Sequence, residues 1–362
     1  MKILVLSGRY AWSGVPLAQL RFAKSLAAEG HAVELIYGDV NEGFSLPDIE
    51  NIRVKTFNKQ RVSSMLFDLI DYLKKERPEI IFSAGDHLNA VTLFAAILSR
   101  SKCKISCSSR VTPFDTYSNK IFSKPWFLKK VMQLISWRAD VLTCVSEDMV
   151  KQYNKVFKNT RHQCIYNIVV DEESKKKSRE PINEPWFEAG DCPKLIAAGA
   201  LEEWKGFQDL IHAIKHIQLS QDVKLLILGD GPLKQELQAL IIELSLEDSV
   251  KLAGFVQNPL SYFKNSDIFI LSSHVEGLPN VLVEAMMCGC TPVSTNCPTG
   301  PREVLNDGKY GYLAPIHNPI GLSKKILEAI YAPIRGDLLD EAILPFCEKT
   351  VTAKHFESLL SL

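Results

Sequence analysis

The 362-residue chain has no surplus of charge: 42 lysines and arginines stand against 42 aspartates and glutamates, and its isoelectric point is near 7.1. That balance removes the global electrostatic reason to expect a nucleic-acid partner, because phosphate backbones are bound by an excess of positive charge. No C-x-x-C pair occurs among the nine cysteines. An odd count argues against a fully paired disulfide framework, so reduced thiols in a cytosolic protein are expected. No uncharged apolar run approaches the roughly 18 to 20 residues that a membrane-crossing helix requires. The opening Met1-Lys-Ile-Leu-Val-Leu is too short for a signal-peptide core and reads as a first strand. The chain also lacks any D-x-D pair, and its first glycine-containing loop lacks G-x-G-x-x-G, which disfavours a dinucleotide dehydrogenase.

What is present is a repeated β–α rhythm. With 46% hydrophobic residues over this length, the chain can bury two domain-sized cores. Short apolar runs at 3–6, 32–37 and 80–82 alternate with amphipathic stretches at 16–29 and 65–76. The rhythm stops at the charged, proline-containing segment 171–185, read as an interdomain linker. It restarts with strands at 194–198, 224–228 and 250–252 and helices at 207–217 and 233–244. The expected architecture is α/β, with domains at 1–175 and 184–344 and a terminal segment, 345–362, that packs back on the first. Parallel sheets of this kind bind ligands beyond the carboxyl ends of their strands, so the reading places the site in an interdomain cleft.

The most informative segment is Glu276-Gly-Leu-Pro-Asn-Val-Leu-Val-Glu284, between a strand-like run at 268–271 and a helix-like run that stops at Gly289. The first amide groups of such a helix lack internal partners and the dipole there is positive, which suits phosphate or sugar oxygens. Three further loops fit the same chemistry. Gly14 lets backbone approach a phosphate, or serves an ordinary turn. Lys205 stands before a helix start, where a cation opposes the dipole, and so either faces an anion or is a solvated surface lysine. The third, Gly229-Asp-Gly-Pro232, reads as a turn and helix start.

The order Lys205-Gly-Phe, Leu228-Gly-Asp-Gly-Pro-Leu, Gly254-Phe-Val, Glu276-Gly-Leu-Pro-Asn-Val-Leu-Val-Glu-Ala-Met, then Gly308 and Gly311, resembles retaining glycosyltransferase family 4. The resemblance spans essentially the whole chain, strongest in the second half. It implies a GT-B fold, two Rossmann-like domains with parallel sheets facing across a cleft. Cys297-Pro-Thr-Gly-Pro-Arg-Glu303 is similar to bacterial transferases that build polysaccharides and lipid-linked oligosaccharides. The implied activity is hexosyl transfer, metal-independent and without cofactor, from a nucleotide-sugar donor to a glycan or lipid-linked acceptor, a UDP-sugar being the leading donor.

By the same resemblance Lys205 neutralises the leaving diphosphate, Glu276 contacts the donor sugar and Glu284 accepts from the ribose hydroxyls. The backbone of Gly277, Leu278, Asn280 and Val281 holds sugar and pyrophosphate, Val256 meets the base, and Gly14 lies on the donor side. Two departures stand out. Ala200 occupies the place of a usual arginine, with Arg9 or Arg110 as candidate substitutes, and Cys107-Ser-Ser-Arg110 stands where many members carry a histidine. Arg110 either contacts a donor or acceptor phosphate or pairs structurally with a carboxylate. His87, after a strand, touches acceptor or donor, or is a capped loop residue.

His212 and His216 have metal-compatible spacing but no evident third ligand, and no metal is expected. Cys288 and Cys290 read as small buried residues. Residues 120–138 mix Lys124, Lys129 and Lys130 with large aromatics, either for contact with an anionic membrane surface or as an amphipathic helix with a solvated basic face. The expected location is cytoplasmic, with peripheral contact at the inner face of the cell membrane. Two alternatives stay open: a catalytically weakened nucleotide- or glycan-binding homologue, motivated by Ala200, and a GT-B sugar-nucleotide epimerase.

Overall fold

The structure is a computed structural model and describes residues 1–11, 14–187 and 192–360. The chain divides into two compact units, Met1–Ile168 with the C-terminal segment from Glu348, and Val169–Cys347.

The first unit runs β1 (Lys2–Tyr10), α1 (Gly14–Ala28), β2 (Ala32–Val40), β3 (Ile52–Thr56), α2 (Leu66–Glu76), β4 (Ile80–Ala84) and α3 (Asp86–Ser99). It continues with β5 (Lys104–Ser109), α4 (Pro113–Thr116), α5 (Lys124–Ile135), β6 (Val141–Cys144), α6 (Glu147–Val156) and β7 (His162–Cys164). Its seven strands are parallel in the order β3-β2-β1-β4-β5-β6-β7. Ile3 to Leu6 are buried without alternation, as expected of a strand covered by helices on both faces.

The second unit runs α7 (Glu172–Ser178), β8 (Lys194–Ala198), α8 (Phe207–Ile217), β9 (Lys224–Leu228), α9 (Lys234–Glu243), β10 (Val250–Gly254), α10 (Pro259–Lys264) and β11 (Ile268–Leu271). Then follow α11 (Asn280–Cys288), β12 (Thr291–Thr295), α12 (Pro301–Val304), β13 (Tyr312–Ala314), α13 (Pro319–Tyr331) and α14 (Asp337–Ile343). Its six parallel strands are ordered β10-β9-β8-β11-β12-β13, repeating the pattern of the first sheet. In α8, Phe207, Leu210, Ile211 and Ile214 recur on one face and fill the core against β8 and β9. In both sheets the strand order reverses once, at β1/β4 and at β8/β11, and such a reversal opens a crevice at the carboxyl ends.

The last helix, α15 (Glu348–Leu360), belongs to the first unit. Ser25 and Thr352 share a 2.7 Å hydrogen bond, and Lys104 Nζ donates to the Leu359 carbonyl at 2.6 Å. The His355 ring sits 4.6 Å from Phe22 and 5.4 Å from Phe82, centroid to centroid.

The segment read as a linker is a correction: much of it is α7, which packs on α10 inside the second unit. Asp171 caps it by accepting from the Ser174 N–H at 2.6 Å. Acid precedes base as the helix dipole favours, with Lys175–Glu172 and Lys177–Glu173 pairs each at 2.8 Å. A segment with almost no apolar residues thus forms a helix through its ends and charges.

Candidate functional site

In the second unit the site forms at the β8/β11 reversal. Lys205 closes the turn after β8, and Glu276 stands in the loop between β11 and α11. Their side chains meet at 2.6 Å, only 13% and 10% exposed. Ser273 Oγ donates to the same Glu276 oxygen at 2.7 Å. The lysine stem lies against Gly199, and its ammonium sits 4.2 Å from the Trp204 ring centroid. Ser272 Oγ donates to the Lys205 carbonyl at 2.8 Å, and the His274 N–H to the Trp204 carbonyl at 2.8 Å, so the two loops are laced together. Gly206 (φ +64) makes this possible: a Cβ there would lie 2.2 Å from the Ser272 carbonyl. Gly300 (φ +88) does the same on the other side, where a Cβ would meet the Gly277 carbonyl at 2.4 Å. Thr299 Oγ1 donates to the Glu276 carbonyl.

The Lys205 cation is thus met by a carboxylate of its own chain. The pair is preorganised, with the charge already desolvated and the loop already fixed. Gly277 and Leu278 continue the loop into α11, whose nine residues end at Gly289 in left-handed conformation. Leu282, Val283, Ala285 and Met286 face the core, while Asn280, Val281 and Glu284 are partly exposed on the opposite face. Val256 is half-buried just beyond the carboxyl end of β10. Ala200 is exposed immediately after β8.

In the first unit, Ser7, Gly8, Arg9, Gly85, His87 and Arg110 line a pocket at the carboxyl ends of β1, β4 and β5. Gly14 opens α1 nearby; a Cβ there would meet nothing within 4 Å, so packing does not require the glycine. Trp12 and Ser13 of that loop lie outside the described residues. His87 is exposed in the first turn of α3. Arg110 donates to the Asn167 side-chain carbonyl rather than to a carboxylate, and burial lowers its pKa to about 10, so it stays cationic near neutrality. Among the described residues, Arg110 Nε and Ser7 Oγ are buried without hydrogen-bond partners. Arg9 donates to the Gln60 carbonyl at 2.9 Å and lies 3.8 Å from Asp39.

Behind this pocket lies a group that sequence reading missed. Asp86, the first residue of α3, is buried, and its carboxylate accepts from Ser109 at 2.8 Å and from Tyr117 and Tyr153 at 2.9 Å each. Burial raises its pKa despite the three hydroxyl donors. The one signal in sequence is an acid directly after a strand-ending glycine. Ser273 and Thr299 were missed as well, and a serine pair at the end of β11 was the only hint.

Two doubly wound parallel sheets, each with polar loops at its strand-order reversal, are the architecture of the GT-B fold class. The structure is similar to that of Anabaena HepE in complex with UDP, with a TM-score of 0.80 and 20% identity over 100% of both chains. Residues 178–341 match the family model of glycosyl transferases group 1, and residues 12–173 that of Glycosyltransferase Family 4. The chain belongs to the family 4 glycosyltransferases.

Two enzymes are among its relatives in sequence. One is the N-acetylgalactosamine-N,N'-diacetylbacillosaminyl-diphospho-undecaprenol 4-alpha-N-acetylgalactosaminyltransferase of Campylobacter jejuni, 32% identical over 64% of this chain and 61% of that enzyme. The other is the amylovoran biosynthesis glycosyltransferase of Erwinia amylovora, 28% identical over 80% of each. No helix among the described residues is long and apolar enough to cross a membrane.

Proposed function

We propose that this enzyme transfers a hexosyl residue from a UDP-sugar to a glycan or polyprenyl-diphosphate-linked acceptor in the assembly of a bacterial cell-surface polysaccharide. The observation that carries the reading is the Lys205–Glu276 pair, held by Ser273 beside the loop that enters α11. On donor binding Lys205 turns from Glu276 to the diphosphate, and Glu276, still held by Ser273, takes hydroxyls of the sugar. Backbone from Gly277 to Val281 and the α11 N-terminus receive the remaining phosphate and sugar oxygens. Glu284 accepts from the ribose, and Val256 meets the base.

As the anomeric C–O bond breaks, its electron pair goes to the diphosphate, where the Lys205 cation, turned to it on donor binding, and the helix dipole stabilise it without a metal. The acceptor hydroxyl attacks from the same face, its proton passing to the departing phosphate oxygen, and anomeric configuration is retained. The relatives support donor and acceptor class: HepE was solved with UDP, and the Campylobacter enzyme carries undecaprenol diphosphate in its name. His87, Arg110, Gly14 and the unpartnered polar atoms around them are proposed to take donor or acceptor phosphate.

The acceptor lipid would reach the enzyme at the inner face of the cell membrane through residues 120–138. There Phe122, Leu134 and Trp137 are 80%, 75% and 72% exposed beside Lys124, Lys129 and Lys130.

Thermal melting with UDP, GDP and ADP tests the donor, since a ligand bound only by the folded state stabilises by RT ln(1 + [L]/Kd). UDP alone is expected to raise the melting temperature, and Lys205→Ala to shrink the shift. A shift with GDP or ADP but not UDP overturns the donor class, and no shift with any of them overturns the site.

A further inference from the structure

Three polar side chains from distant parts of the second unit converge outside the pair just described. Asp209 lies in the first turn of α8, His274 in the loop between β11 and α11, and His317 in the loop between β13 and α13. His274 Nε2 is 2.9 Å from Asp209 Oδ2, and His317 Nδ1 is 4.0 Å from the same oxygen. The two imidazoles lie 3.8 Å apart, centroid to centroid, and the three ligand-capable atoms all fall within 4.8 Å of one another.

We propose that Asp209, His274 and His317 bind a divalent transition-metal ion of the zinc class, completed by water. Zinc takes imidazole nitrogen and carboxylate oxygen at about 2.0 to 2.2 Å, and three ligands plus water is a familiar open tetrahedral set. Tetrahedral bonds of that length put ligand atoms roughly 3.4 Å apart, within the spread seen here. A hydrogen-bonded Asp–His pair accounts for two of the residues but not for the third. His317 holds a left-handed backbone (φ +52) that non-glycine residues seldom adopt, and its ring, 63% exposed, turns onto another imidazole. Glycine at 206 leaves the room: a Cβ there would stand 2.8 Å from His274 Nε2.

The ion's role is positional. His274 directly follows Ser273, the donor to Glu276, so an ion would tie the Glu276 loop to α8 and to the loop before α13. The reacting atoms lie elsewhere, and the proposal is independent of which sugar is transferred. His212 and His216, four residues apart, are exposed on α8 and form no part of the trio.

The test is titration of tag-free, metal-stripped protein with Co2+, displaced by Zn2+. Expected is one ion per chain, with visible d–d absorption, no near-ultraviolet thiolate band, and a rise in melting temperature on saturation. His274→Ala and His317→Ala should each weaken Zn2+ more than about tenfold. Asp209→Asn, which keeps the shape, should weaken it too, and the double variant His212→Ala/His216→Ala should leave it unchanged. Metal-free melting temperatures of the variants separate ligand loss from misfolding. Absence of saturable 1:1 binding overturns the site. So does affinity unaltered in His274→Ala and His317→Ala, or a thiolate band showing capture by cysteine.

Discussion

Lys205 and Glu276 are individually ordinary residues whose meaning comes from each other. For a lysine sequestered to this degree, the carboxylate and the Trp204 face compensate for lost water. Lys205→Ala is expected to lower kcat by about a hundredfold or more, the scale of losing one preorganised charge-stabilising group. Glu276→Gln keeps a partner for Ser273 while deleting the charge, and should raise KM as well as lower kcat. Steady-state transfer rates check both, and wild-type kcat in Lys205→Ala would remove it from the leaving-group role. These two residues were legible because each sits in a loop with its own local signature, glycine and helix start for one, a tight turn before a helix for the other. Ser273, Thr299 and Asp86 were not, because a buried hydroxyl or acid takes its role from whatever stands opposite, which only the folded chain decides.

Among the elements, α7 and α5 show two ways in which a polar pattern is read wrongly or incompletely. The β–α rhythm was legible because parallel strands are continuous apolar runs and helices carry a 3.6-residue stripe. The charged segment before β8 was not, because its helix is written in a cap and charge order rather than in apolar spacing. In α5, mixed lysines and aromatics left two readings open. The structure buries only Met132 and Ile135 of that helix and leaves Phe127, Val131 and Leu134 exposed. An ordinary packed helix would turn those side chains inward, which supports the membrane reading. Co-sedimentation with anionic phospholipid vesicles is expected, weakened by charge reversal at Lys124, Lys129 and Lys130 and by Phe122→Ser/Trp137→Ser. Binding indifferent to both sets of changes would sink it.

At the scale of the whole chain, the first unit is completed by the last helix and so is not one continuous stretch of sequence. That closure places an acid-sensitive group in the core. His355 of α15 is buried between Phe22 and Phe82 with its Nδ1 unpartnered, and burial, then the nearby Arg110 charge, depresses its pKa to about 3. His162 of β7 is depressed by burial to about 4. The unfolded chain therefore binds more protons than the folded one between the ordinary histidine value and these depressed ones. Stability is fully present above about pH 6.5 and falls as pH drops through that window, each histidine contributing up to about 1.4 kcal/mol per pH unit. Asp86 acts oppositely: its raised pKa favours the protonated folded form, so its contribution fades as pH rises through the carboxylate range. Between about pH 6 and 4 two histidines act against one carboxyl group, so the net slope follows the histidines. Hydrogen exchange in β1 and β4, which reports the first unit, should accelerate relative to the intrinsic rate as pH falls from 6.5 to 4.5. His355→Phe, which keeps an aromatic ring among aromatic neighbours, should remove about one proton's worth of that slope. An undiminished slope in this variant would show that α15 does not confer the acid sensitivity.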